Sequence, residues 1–132
     1  MTKARKVKNL VFTLPNKVGL LSEVSGALAQ AKVNINAICA YEMEDKAIFM
    51  LAADSNVRAT RALAPLGAEI KEEEVVAVDM PNRPGELEKV AKKLAEAGIN
   101  INLIYGTTGT GKTSTCFFKT VDNKKAIRLI NK

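Results

Sequence analysis

Residues Gly106 to Ser114 read Gly-Thr-Thr-Gly-Thr-Gly-Lys-Thr-Ser and contain the spacing G-x-x-x-x-G-K-[ST]. In that pattern glycine backbone N–H groups cradle phosphates and the lysine reaches their outer oxygens, so the chemistry it would serve is nucleotide hydrolysis. The pattern works only where a strand leads in and a helix begins at the Lys-Thr pair. Here Lys112 is followed by Thr113, Ser114, Thr115, Cys116, Phe117 and Phe118, rich in β formers, so a strand is expected where the helix should be. The stretch is read as a glycine-rich hairpin whose backbone N–H groups could at most hold an anion. No catalytic residue is assigned to it.

Composition removes other chemistries. The chain has no histidine, which excludes Ser-His-Asp and Cys-His catalysis and the commonest zinc ligand. Cys39 and Cys116 lie in β-like runs without C-x-x-C spacing and are expected as buried, reduced thiols. No metal, no cofactor and no enzymatic activity are expected. The 132 residues, 47% hydrophobic and 26% charged, suit a packed globular protein. Much of the net charge of +6 sits near the two ends and reads as solubilising, so no nucleic-acid partner is expected. No apolar run approaches the roughly 20 residues that span a bilayer, so no membrane partner is expected and the location expected is cytoplasmic.

The element pattern is repeated. Residues 14–41 align without gaps onto 80–107 at an offset of 66, with identities at Pro15/Pro81, Asn16/Asn82, Gly19/Gly85, Leu21/Leu87, Val24/Val90, Leu28/Leu94 and Asn34/Asn100. Each copy opens with an alternating apolar strand and a Pro-Asn turn, then shows apolar residues at helical spacing, then a second strand. Pro84 is placed in the first turn of its helix, and Gly98 where a left-handed residue ends it. In the first copy, "KAIFMLAA" reads as a third strand, Asp54 or Ser55 caps a second helix, and "AEIKEE" is a fourth strand.

The fold class is therefore α+β: two ferredoxin-like βαββαβ units, antiparallel sheets with helices on one face. The unit boundaries are 1–73 and 74–132. The third strands align at an offset of 68, giving the second hairpin two extra residues, and the second unit lacks its fourth strand. The exposed edge at "EVVAVD" must then pair with strands of the first copy or of a second chain, and a homodimer is expected.

The repeated turn carries the candidate site. Gly19 and Gly85 lack a Cβ and let a ligand approach backbone N–H groups at a helix N-terminus, where a carboxylate is favoured. Asn16 and Asn82 supply donors and an acceptor suited to both ends of a zwitterion. The bland alternative is that these are ordinary turn residues and that an asparagine before a strand caps the preceding helix.

"PNKVGLLSEVSGALAQAKVNI" and "PNRPGELEKVAKKLAEAGINI" resemble the signature of ACT domains, N-x-P-G-x-L, a helix, then G-[VI]-N-I. The resemblance covers both copies. It implies a regulatory protein binding an amino acid or similar small effector at interfaces between ACT units, with assembly or a regulated metabolic enzyme or regulator responding. Its site residues are Asn16, Lys17, Val18, Gly19, Leu20, Asn34 and Ile35 in the first copy, and Asn82, Arg83, Pro84, Gly85, Asn100 and Ile101 in the second. Departures are Val18 for the usual proline, which relaxes the first turn, and Glu86 for a hydrophobic residue, which suits the helix dipole but repels a nearby carboxylate. The first copy is therefore expected to be the better site. Alternatives are a ligand-free scaffold, or an RNA binder stacking bases on Phe12, Phe49, Phe117 and Phe118.

Overall fold

The computed structural model describes residues 1–107 and 110–132. Six strands and four helices follow in the order β1 (Lys3–Pro15), α1 (Leu20–Gln30), β2 (Ile35–Met43), β3 (Lys46–Ala53), α2 (Asn56–Leu63), a 3-10 turn (Ala64–Leu66), β4 (Glu69–Pro81), α3 (Glu86–Glu96), β5 (Ile101–Thr107), β6 (Thr113–Thr120) and α4 (Asn123–Asn131). The strand order is β2-β3-β1-β4-β6-β5. The class is α+β with the helix and strand order of two ferredoxin-like units.

Two compact units emerge: residues 8–73, and residues 1–7 together with 74–132. Both boundaries fall inside strands, so β1 and β4 each contribute to both units. In the 8–73 unit the second half of β1 is the first strand and the start of β4 is the fourth. Its core is Leu10, Phe12, Leu14, Val24, Leu28, Phe49, Leu51 and Leu63, with Phe12 and Phe49 paired across β1 and β3 and stacked at 4.8 Å. In the other unit the second half of β4 is the first strand, and Val76, Val78, Met80, Val90, Leu94, Phe118 and Ile130 form the core with Ala4 of β1.

The fourth strand missing from the C-terminal half is thus residues 3–7, from the other end of the chain. Ala4 is 2% exposed, and its backbone is clamped by the last residue of α4. Its N–H donates to Asn131 Oδ1 at 2.7 Å, and its carbonyl accepts from Asn131 Nδ2 at 2.8 Å. Arg5 forms an ion pair with Asp79 of β4. An edge that sequence spacing left open is therefore filled within the unit.

Backbone register corrects the offset of the third strands. Phe12 faces Phe49, and Val78, its counterpart in the repeat, faces Cys116. Likewise Ile38 faces Leu51 and Ile104 faces Phe118. These pairs put β6 at an offset of 67 from β3, so the second hairpin carries one extra residue rather than two. The caps agree: Ser55 accepts from the N–H of Arg58 at α2, and Asp122 from that of Lys125 at α4. Similarity of Phe-Met to Phe-Phe and of Asp54 to Asp122 suggests 68, but which side chains face the core is set by ladder pairing, and Leu51 and Phe118 are both buried.

Candidate functional site

Helices α1 and α3 begin differently from α2 and α4. Their N-cap residues are Gly19 and Gly85, with φ of 88° and 87°, and no side chain caps either helix. Ser55 and Asp122 occupy the same role elsewhere with ordinary side-chain caps. The glycines are required by the left-handed backbone, since a Cβ at either would meet nothing within 4 Å. That open space is also room for a ligand at the helix end. Gly19 and Gly85 hold nearly the same φ and ψ although Val18 precedes one and Pro84 the other, and the Val18 side chain is wholly exposed. Pro84 lies before the Gly85 cap, outside the helix that begins at Glu86.

Asn16 and Asn82 each latch a hairpin. The Asn16 N–H donates to the carbonyl of Asp45 at 2.8 Å and its side-chain amide to Glu42 Oε2 at 3.1 Å. The turn between β2 and β3 holds Glu44 and Asp45 at φ of 51° and 67°, where residues with a Cβ are strained, so this latch secures an unfavourable turn. The Asn82 N–H donates to the carbonyl of Lys112 at 2.8 Å, and its side-chain amide to that of Gly111 at 3.0 Å. The glycine-rich stretch thus meets the turn through its carbonyls. β6 begins at Thr113, so the Lys-Thr pair enters a strand rather than the start of a helix. Thr108 and Gly109 lie outside the described residues.

In the 8–73 unit a groove of about 320 Å³ opens at the start of α1. Its lining includes Asn16, Lys17, Gly19, Leu20, Leu21 and Ser22 on one side and Ala40, Tyr41, Glu42, Ala47 and Phe49 on the other. Pairing of Ala40 with Phe49 and of Glu42 with Ala47 puts these four on one sheet face, giving an apolar floor with one carboxylate. Lys17 at the rim pairs with Glu23 at 2.6 Å. The groove therefore offers the uncapped helix N-terminus, where negative charge is favoured, and the Glu42 carboxylate, where positive charge is favoured.

The expected set does not come together in one place. Asn34 and Ile35 enter β2 beside Asp54, whose Oδ1 accepts from the Asn34 N–H at 3.0 Å, whereas Asn16 lies beside Asp45 at the other end of β3. The length of β3 separates them, roughly 23 Å at about 3.3 Å per residue. Asn100 and Ile101 sit likewise at the far end of β6, where the Asn100 carbonyl accepts from the Val121 N–H. The Asn34 side chain bonds Asn36 rather than capping α1. Sequence reasoning missed Glu42, for which the only signal was its place in an acidic hairpin.

In the other unit Arg83 and Gly85 flank Glu86, which is 5% exposed. Its Oε2 accepts from Arg83 Nε at 2.7 Å and from Lys89 Nζ at 3.1 Å. The Arg83 hydrogen bond, and then that of Lys89, hold the carboxyl below its ordinary value against the opposing effect of burial. Glu86 is therefore neither a helix cap nor a free surface charge. Phe12, Phe49, Phe117 and Phe118 are all buried, so none offers a face for base stacking. Cys39 and Cys116 are free thiols and half-buried, and burial pushes the Cys116 thiol up. Gly106 packs so closely against Cys116 that a Cβ there would lie 3.0 Å from its sulfur.

A family profile described as an ACT domain pair matches residues 5–132. The chain belongs to that family. Among solved structures, this ACT pair resembles protein BT0572 from Bacteroides thetaiotaomicron, with 28% identity and a TM-score of 0.87 over 97% of this chain and 88% of that one. The regulatory subunit of aspartate kinase from Thermus thermophilus, in its ligand-free form, has 17% identity and a TM-score of 0.68, with coverage of 98% and 94%. Aspartokinase III from E. coli, in complex with lysine and aspartate, has 19% identity and a TM-score of 0.57 over 97% of the ACT pair and 31% of that longer chain. No curated protein matches the sequence. Among the described residues no helix is long and apolar enough to cross a membrane, and no cluster of metal-ligating side chains occurs.

Proposed function

We propose that this ACT pair is a non-catalytic regulatory module that binds a free amino acid in the groove of its 8–73 unit. The observation that carries the reading is the pairing, in one groove, of the uncapped α1 N-terminus with the Glu42 carboxylate. Backbone N–H groups of the first turn suit the carboxylate of an amino acid. Glu42, oriented by Asn16, suits its ammonium group, and the Ala40, Ala47 and Phe49 floor takes an apolar part of the side chain. Likeness to a regulatory subunit of aspartate kinase, and to an aspartokinase in complex with lysine and aspartate, supports a small-molecule effector.

Regulation requires that the ligand bind one state more tightly than another. Asn34 and Ile35, at the far end of β3, reach the same ligand only from another copy of the chain. A homodimer in which a second ACT unit closes over the groove is therefore part of the proposal, with a partner enzyme or the assembly itself responding. A thermal-shift screen of the twenty amino acids tests it. One or a few should raise the melting temperature increasingly with concentration, by about 2.7 kcal/mol of linkage when the ligand is 100-fold above its dissociation constant. Glu42→Gln and Asn16→Ala should each weaken the shift. No shift with any amino acid, or an unchanged shift in Glu42→Gln, would sink the reading.

A further inference from the structure

Glu86 stands where the repeat has Leu20, and Leu20 lines the groove of the 8–73 unit. A leucine satisfies that buried position in one unit, so a carboxylate in the other is not demanded by packing. Burying a carboxylate is costly unless it is paired, and Glu86 is paired twice. Arg83 belongs to the turn and Lys89 to the helix, so one carboxylate oxygen ties the two together across the first turn of α3. The cations are exposed at 65% and 66%, whereas the Glu86 side chain is 6% exposed beneath them. An anion approaching this turn from solvent would meet those same two side chains, already directed at an internal anion.

The counterpart positions in the 8–73 unit are arranged otherwise. Lys17 and Glu23, at the positions of Arg83 and Lys89, pair with each other at half-exposed heads, and between them Leu20 carries no charge. The carboxylate of Glu86 therefore distinguishes the two turns at the place where an effector's carboxylate would bind.

We propose that Glu86 is a built-in occupant of its own turn, so that the chain takes one carboxylate-bearing effector, in the 8–73 unit, rather than two. This rests on the reading of the 8–73 groove as the effector site. Glu86 acts as a specificity determinant by exclusion: its charge repels a carboxylate, and it already uses the two cations that would attract one.

The test is acetate titration of the ¹⁵N-labelled 132-residue chain at pH 7, followed through backbone amide shifts in the wild type, Glu86→Gln and Glu86→Leu. Glu86→Gln preserves side-chain volume while removing the charge and exchanging one acceptor oxygen for an NH2 donor, whereas Glu86→Leu reproduces the other repeat. In the wild type, amides of residues 85–88 should stay in place. In both variants they should move, with a midpoint at least about tenfold lower than any wild-type response, the scale of one charged hydrogen bond. Wild-type amides 85–88 shifting at the midpoint of amides 19–22 would overturn the proposal. So would a folded variant, shown by a dispersed spectrum, that gains no shift there. Amides 19–22 report separately: if they never move while the variants gain a response at 85–88, the groove reading fails and the role of Glu86 stands.

Discussion

Single residues of the two repeats solve the same backbone problem with different chemistry. Lys32 and Gly98 both follow the helix of the repeated segment in left-handed conformation, at φ of 58° and 71°. Both chains then return in the same way, with the Val33 N–H donating to the Leu28 carbonyl and the Ile99 N–H to the Leu94 carbonyl. A Cβ costs about 1–2 kcal/mol in that region, partly offset in a comparison with glycine by glycine's greater freedom when unfolded. Lys32→Gly should therefore stabilise the chain by about 0.5–1 kcal/mol, because the conformation is already the one glycine prefers. The urea midpoint would rise without a change in slope; an unchanged or lower midpoint would show that the lysine makes a compensating contact. Gly98 was legible as such a position from its spacing. Lys32 was not, since nothing in a lysine announces a left-handed backbone.

At the scale of elements, what could be read from the sequence was whatever repeated locally. Apolar alternation gave the strands, i, i+3 and i+4 spacing gave the helices, and the turn glycines marked the two helices without side-chain caps. What escaped was set by partners distant in sequence. The fourth strand of the second unit is such a case: its edge was expected to pair with the first copy or with a second chain, but not which residues would do so, and residues 3–7 meet Asn131 from the opposite end of the chain. Asn131 takes the part of a neighbouring strand, offering one acceptor and one donor to the backbone of Ala4. Asn131→Ala should leave both groups without that partner and destabilise the unit by about 1–2 kcal/mol. Asn131→Asp should recover part of the loss, because its oxygen still accepts from the Ala4 N–H. Hydrogen exchange at the Ala4 amide checks this directly: protection should fall in the order Asn, Asp, Ala, and equal protection in all three would remove the clamp from the account.

For the whole molecule, duplication was plain in the sequence but the division of the chain was not. The repeat suggests a cut between residues 73 and 74, yet residues 1–7 group with 74–132. The 66-residue offset applies to β1 and β4 along their whole lengths, and each strand serves as the fourth strand of one unit and the first of the other. A C-terminal half that seemed truncated is therefore completed by the N-terminus, and removing that terminus should damage the half most distant from it in sequence. A chain without residues 1–7 loses the buried Ala4 from the core of Val76, Val78, Phe118 and Ile130, together with the Arg5–Asp79 ion pair and the Asn131 clamp. It also exposes an edge of β4, whose Val75, Val76, Ala77 and Val78 are all buried in the intact chain. Native-state hydrogen exchange should show protection falling in β4 from residue 74 onward, β6 and α4, while β2, β3 and α1 retain theirs. If the loss appeared instead in β2 and β3, or if residues 74–132 kept full protection, the N-terminal strand would not be what completes that unit.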